Sequence, residues 1–302
     1  MIDFTNMPTT KKTYAGANGG KIAIIYEGER YMLKFPPHPK RNKEMSYANS
    51  CISEYLGSHI FELVGIPVQK TLLGTYTSNG KTKVVVACKD FTSHDTVIQD
   101  FASLKNTLID SGHSGYGTEL SEIMEAIENQ TAVDPIALKR HFWDMFIVDA
   151  LIGNWDRHNG NWGFLYNSRT DEISIAPVYD CGSCLYPQAD DTIMQSTIDN
   201  RAERDYRLFE IPLSCIRVNN QKIRYFDFIS SLQNRDCNAA LRRIVPRIKL
   251  DELRNLVYAT PFIEDLQKEF YYTMLSERKE RILDDSLQKL KERDRKRGGD
   301  AR

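Results

Sequence analysis

Two short stretches decide the fold: Gly153-Asn-Trp-Asp156-Arg-His158-Asn-Gly-Asn161 and, a hairpin's length later, Val178-Tyr-Asp180-Cys-Gly182. Asp156 and Asn161 stand five residues apart on what reads as a tight loop. Residues 162–166 and 173–178 read as two short strands turned at 167–171, which return Asp180 to the same place. Phosphoryl transfer is mostly positioning plus neutralisation of phosphate charge. It needs a carboxylate to orient the acceptor hydroxyl and hard oxygen ligands for Mg²⁺. Asp156 suits the first task, and Asn161 with Asp180 the second. A lone Asp-x-x-x-x-Asn carries little information; joined to two strands and an Asp-x-Gly, it has the order found in kinases.

Upstream of the loop, Asp134 as N-cap and Pro135 in the first turn open a strongly apolar helix that ends at Gly153. The first third of the chain is β-rich. Strands at 21–26 and 30–35 flank Glu27-Gly28-Glu29, and strands at 71–77 and 81–88 flank Ser78-Asn79-Gly80. Between these hairpins, Ile52, Tyr55, Leu56, His59, Ile60 and Leu63 recur at helical spacing over about 45–64, stopped by Gly65 and Pro67. Downstream of Asp180 come a polar stretch, 184–200, and helices near 226–233, 239–245 and 250–257. The polar stretch follows Asp180 as an activation segment would, and is expected to contribute to acceptor binding. From Ser276 the tail is a charged helical run, expected to fray beyond Arg297. The expected class is α+β and bilobal, protein-kinase-like. Residues 1–92 form a small β-rich N-lobe with one long helix, and residues 93–302 a mainly helical C-lobe.

That small lobe supplies the remaining parts of a nucleotide site. Ala15-Gly-Ala-Asn-Gly-Gly-Lys21 precedes a strand and can offer backbone N–H groups to phosphates. Lys34, among apolar neighbours in the next strand, can reach the phosphates, and Glu54 in the helix can pair with it. Taken singly, Lys34 could equally be a snorkelling edge lysine and Glu54 part of a solvated face. His158 could serve as base or metal ligand, but the other five histidines show no metal-ligand spacing. A loop-holding role through its ring nitrogens is preferred. Asp149 could brace the loop or be a buried acid with only a packing role.

Composition adds exclusions. Forty basic residues against forty-one acidic ones leave a net charge of −1, so no general attraction to nucleic acid or anionic lipid is expected. No apolar stretch is long enough to span a bilayer, and the N-terminus MIDFTNMPTTKK lacks a signal-peptide core. A cytoplasmic protein, or one delivered to another cell's cytosol, is expected. Among six cysteines, Cys181 and Cys184 form the one CxxC pair, with no second pair to complete a zinc site.

The segments LIGNWDRHNGNWGFL, AGANGGK and IAPVYDCGSCLYP, with the helix SEYLGSHIFELVGIPV before a hairpin, resemble the HipA-like serine/threonine kinases of bacterial toxin–antitoxin systems. The likeness runs from about Tyr14 to Pro187. It implies an ATP- and Mg²⁺-dependent protein kinase in which Asp156 is the catalytic base and Asn161 and Asp180 hold the metal. Lys34 would bind the phosphates, and Gly16, Ala17, Asn18, Gly19, Gly20 and Lys21 would form the phosphate loop. Cys88, Lys89 and Asp90 would form the hinge under the adenine through backbone groups. In that family a serine before the glycine loop can be autophosphorylated, which expels the loop; Thr13 holds that place here. The resemblance also implies a protein substrate, with a translation factor or an aminoacyl-tRNA synthetase as examples, and neither nucleic acid nor membrane as direct partner. The family's N-terminal, antitoxin-contacting subdomain has no counterpart before residue 15, so either a separate small protein supplies it or the chain is a stand-alone kinase outside any toxin module. Two other readings stay open: a phosphoinositide kinase, which also uses an Asp-Arg-His-x-x-Asn loop, and a catalytically dead kinase fold acting as a binding module.

Overall fold

The computed structural model describes residues 1–14, 20–36, 49–108 and 115–299. Its first unit is a six-stranded sheet in the order β1-β5-β6-β4-β3-β2. Strands β3 (Lys21–Tyr26) and β4 (Glu29–Lys34) turn at Glu27 and Gly28, while β5 (Thr71–Ser78) and β6 (Lys81–Lys89) turn at Asn79 and Gly80. All four turn residues have positive φ, which matches the twist of a two-residue hairpin. The edge strands β1 (Ile2–Asp3) and β2 (Thr9–Thr10) are two residues long and carry no periodicity to announce them. Phe4, Ile24, Leu33, Val85 and Ala87 fill one face of this sheet.

Helix α1 (Ser50–Leu63) covers the other face and buries Cys51, Ile52, Leu56, Ile60 and Phe61 in the larger core of the molecule. Residues 45–48, expected to begin this helix, lie outside the described residues. The expected lobe division at 92 and 93 falls in the extended link from β6 to β7 (Thr96–Asp100). Next come α2 (Phe101–Leu108), α3 (Leu120–Asn129) and α4 (Pro135–Ile152). Asp134 caps α4 by accepting from the Ile136 N–H at 3.0 Å, and Gly153 ends it in the left-handed conformation. Every residue of α4 from Phe142 to Ile152 is buried, so this helix is the axis around which the body packs.

Strands β8 (Gly163–Asn167) and β9 (Glu172–Ile175) form the expected hairpin, and β7 joins it in a three-stranded sheet that the sequence did not announce. The second strand stops before Pro177 rather than reaching residue 178. Val178 instead pairs across to the small lobe. Its N–H donates to Pro67 O and its carbonyl accepts from the Gln69 N–H, both at 2.8 Å. The polar stretch after Asp180 contains a helix, α5 (Asp191–Asp199), whose Met194 and Thr197 are fully buried. Then follow α6 (Arg201–Asp205), a π-helical turn, the hairpin β10 (Leu213–Val218) and β11 (Gln221–Arg224), and α7 (Tyr225–Ser230). Helices α8 (Arg235–Ile244), α9 (Leu250–Ala259), α10 (Asp265–Arg278) and α11 (Asp285–Gly299) complete the body. The tail packs through Ile282, Leu283, Leu287 and Leu290, and α11 runs past Arg297 to Gly299. Among the described residues no helix is long and apolar enough to cross a membrane.

Candidate active site

A cavity of about 700 Å³ lies between the sheet and the helical body. Its floor is the loop after α4, which is held from below. Fully buried Asp149 accepts from Arg157 Nε at 3.0 Å and Nη2 at 3.2 Å, and from Asn154 Nδ2 at 2.9 Å. Arg157 Nη1 donates to Asn161 O at 3.0 Å and also to Tyr179 O, so one guanidinium joins the loop to the residue before Asp180. Burial disfavours that cation, but Asp149 holds it firmly protonated. Asp149 is therefore the brace that the sequence left undecided. Tyr225 adds a hydroxyl bond to Asn154 O at 2.5 Å.

Within the loop, Asn161 Nδ2 donates to Asp156 O at 2.8 Å, and the Gly160 N–H donates to His158 Nδ1 at 3.0 Å. The His158 ring thus closes the turn while lining the cavity. Asp156, Asn161 and Asp180 all face this cavity. Burial raises the pKa of Asp156, and the nearby Asp180 charge adds to that shift while His158 opposes it. A carboxylate perturbed in this direction holds a proton more readily than one in water.

Lys34 crosses the cavity roof. Its ammonium donates to Glu54 Oε2 at 2.8 Å and to Asp180 Oδ1 at 3.0 Å. Glu54 is 1% exposed, whereas the Asp180 carboxylate is 45% exposed towards the cavity. Lys34 holds Asp180 ionised against the cost of burial, while Asp180 and Glu54 together outweigh burial and raise the lysine pKa. Glu54 also accepts from the Cys181 N–H at 3.1 Å, which ties α1 to the Asp-Cys-Gly turn. Asp180 itself has φ +59°, a left-handed conformation that side chains adopt at a cost, here next to the proposed metal position.

Gly20 and Lys21 stand at the start of β3, with Lys21 opposite Lys34 in register and lining the cavity. Gly16, Ala17, Asn18 and Gly19 lie outside the described residues. Thr13 is exposed at the cavity edge. Cys88, Lys89 and Asp90, expected as the hinge, stand at and just beyond the end of β6. Cys88 is fully buried in the middle of the sheet, opposite Met32 and Thr71. The Lys89 N–H donates to Lys70 O, and its carbonyl accepts from Gln69 Nε2 with a second lone pair left over. Asp90, Phe91 and Thr92 line the wall there, with Tyr179 completing an aromatic edge, its ring 6.1 Å from that of Phe91. Phe91, Thr92 and Tyr179 were missed because no local pattern marks them.

The donor set fits Mg²⁺. Asn161 Oδ1 accepts no hydrogen bond among the described residues, and the Asp180 carboxylate is open to the cavity; both are hard oxygens. Among the described residues no three His, Cys, Asp or Glu side chains gather into a cluster that could hold a metal. An ion here would need phosphate oxygens to complete its shell, as Mg²⁺ in phosphotransferases does.

Comparison with known proteins identifies the family and the fold. The HipA-like C-terminal domain family matches residues 12–249. The serine/threonine-protein kinase CtkA of Helicobacter pylori strain J99 is 50% identical over 285 residues, spanning 94% of this chain and 86% of that protein. The crystal structure of the H. pylori proinflammatory kinase CtkA superposes with a TM-score of 0.91 at 49% identity, covering 96% of this chain and 98% of that one. HipA from a Shewanella oneidensis MR-1 toxin–antitoxin complex with HipB and operator DNA shares the fold, with a TM-score of 0.52 at 14% identity. That likeness covers 92% of this chain and 68% of HipA.

Proposed function

The chain belongs to the HipA-like C-terminal domain family and is a serine/threonine protein kinase, and from that premise we propose that it transfers the γ-phosphate of ATP, with Mg²⁺, to a protein hydroxyl. The observation that carries this reading is the Lys34 ammonium poised between Glu54 and Asp180, directly across the cavity from the Asp156 loop. Bound Mg²⁺ would supply charge neutralisation on the phosphate oxygens, held by Asn161 and Asp180. Lys34, fixed from behind by buried Glu54, is placed to meet the α- and β-phosphates. Asp156 orients the acceptor hydroxyl, and its raised pKa lets it take the hydroxyl proton as the oxygen attacks. Arg157 keeps Asp156, Asn161 and Asp180 at fixed spacing through Asp149, Asn161 O and Tyr179 O. That is the positional work such a reaction needs.

Residues 1–92 would then carry the nucleotide and residues 93–302 the acceptor. Thr13, at the cavity edge, is the proposed site of self-phosphorylation. Translation-related proteins are the first acceptors to test and a small antitoxin-like protein the first regulator, both on family grounds. The deciding experiment incubates wild type and Asp180→Ala with radiolabelled ATP in lysate and, separately, with lipid vesicles. Label on protein from wild type alone supports the reading. Label on lipid would move it to a lipid kinase, and no label with retained partner binding would make it a binding module.

A further inference from the structure

A second buried cluster stands at the edge of the cavity. Asp90, 3% exposed at the start of the hinge, gathers donors from four separate residues. Lys12 Nζ lies at 2.7 Å, Arg30 Nε at 2.7 Å, the Tyr14 hydroxyl at 2.8 Å and the Thr92 hydroxyl at 2.7 Å. The Thr92 N–H adds a fifth bond at 2.9 Å, and Lys12 also donates to Thr92 Oγ1. Burial works against the charge, but Lys12, Thr92 and Tyr14 hold the carboxyl well below the usual range. Surface ion pairs contribute little to stability, so a carboxylate this enclosed and this fully bonded points to a geometric role.

Three of these four partners come from two places that matter to a nucleotide, and Arg30 comes from β4. Thr92 belongs to the hinge wall. Lys12 and Tyr14 belong to the strap that enters the glycine-rich segment, 78 and 76 residues away in sequence. At the far end of that segment, the Phe35 N–H donates to Gly20 O at 3.1 Å and so fixes its exit to β4. The entry is held through Asp90, with Thr92 sharing the Lys12 ammonium. Resting on the ATP reading above, we propose that Asp90 is a positioning residue that ties the cavity-lining strap at Lys12 and Tyr14 to the opposite wall at Thr92. It would thereby set the span between the two ends of a bound nucleotide. Lys12 is the cross-tie, since its ammonium touches both Asp90 and Thr92.

The test compares ligands that do and do not reach the far end. Binding of Mg·ATP and of adenosine is measured by calorimetry on wild type, Lys12→Met, Tyr14→Phe and Lys12→Arg, with ATP KM and kcat measured in parallel. Loss of one charge-assisted bond should weaken ATP binding by about tenfold in Lys12→Met. Adenosine affinity should stay near wild type, KM should rise more than kcat falls, and Lys12→Arg should restore ATP binding. Tyr14→Phe should show the same pattern more weakly. If ATP and adenosine affinities fall together in Lys12→Met, or neither changes, the proposal is wrong. Failure of wild type itself to bind ATP would instead remove the nucleotide reading, and the span argument with it. Lys12 lies on the surface strap, so its variants are expected to fold normally.

Discussion

Gly57 on α1 faces Cys181 so closely that a methyl group added at Gly57 would stand 2.7 Å from the Cys181 Cβ and 2.9 Å from Cys184 Sγ. Both cysteines are fully buried and cannot swing aside. Gly57→Ala must therefore push α1 away from the turn that presents Asp180, and with it the Glu54 bond to the Cys181 N–H. Overpacking of this kind costs about 1–3 kcal/mol. Thermal unfolding should show that loss, and turnover should fall further than stability alone explains. Wild-type melting and wild-type turnover in this variant would contradict the contact.

Asp156→Ala and Asp180→Ala should each lower turnover by orders of magnitude, about 10²–10⁴-fold for the general base. Neither carboxylate supports the fold as Asp149 does, so both variants should melt near wild type. Single-turnover labelling with ATP in excess checks the chemistry directly. Near-normal phosphorylation by Asp156→Ala would sink its role as base.

Lys34 and Glu54 behave differently, because Glu54 is almost wholly enclosed. Lys34→Met strands a buried carboxylate and should cost about 3–5 kcal/mol of stability. Adding Glu54→Gln to that variant should restore much of the stability but none of the activity. Denaturant midpoints for the two single variants and the double, set beside their turnover, decide the matter. Equal stability losses in Lys34→Met and in the double variant would mean that Glu54 is not held in place by the lysine.

His141 on α4 supplies a pH dependence. Burial, with help from the Arg157 charge, pushes its imidazole down to about 4. The unfolded chain takes up that proton near 6.5. Between these values the unfolded state binds a proton that the native state refuses, so stability falls as pH drops through the window and is complete above it. The loss should reach about 2 kcal/mol by pH 5. Urea midpoints at pH 7 and pH 5 should differ less for His141→Phe than for wild type. A ring-proton NMR titration centred near 6.5 in the folded protein would rule this out.

What could be read beforehand was local. The Asn79-Gly80 turn, the Asp134-Pro135 start of α4 and the Asp156-to-Asn161 spacing each encode their geometry within a few residues. The same holds for Lys34 and Glu54, set by the ordinary reach of strand and helix. Features that failed to show depend on distant register. Where β6 stops is one of these: it pairs with β4 until the Asp90 N–H meets Arg30 O, a match that no local pattern states. Strands β1 and β2 are too short to have a period, and β7 is recognisable only once β8 lies beside it. Asp149 could be suspected of bracing the loop, but only the packed structure shows Arg157 as the group it holds.

Val178 has a mechanical consequence. Its two backbone bonds to Pro67 and Gln69 stitch the sheet-bearing half to the helical half only two residues from Asp180. Any rocking of one half on the other that keeps those bonds must turn about this point, and points near an axis travel least. The reach from Lys34 to Asp180 would then change little, while the parts of the cavity rim farthest from Val178 travelled most. Such a molecule could admit and release its nucleotide without dismantling the electrostatic contact that its chemistry depends on.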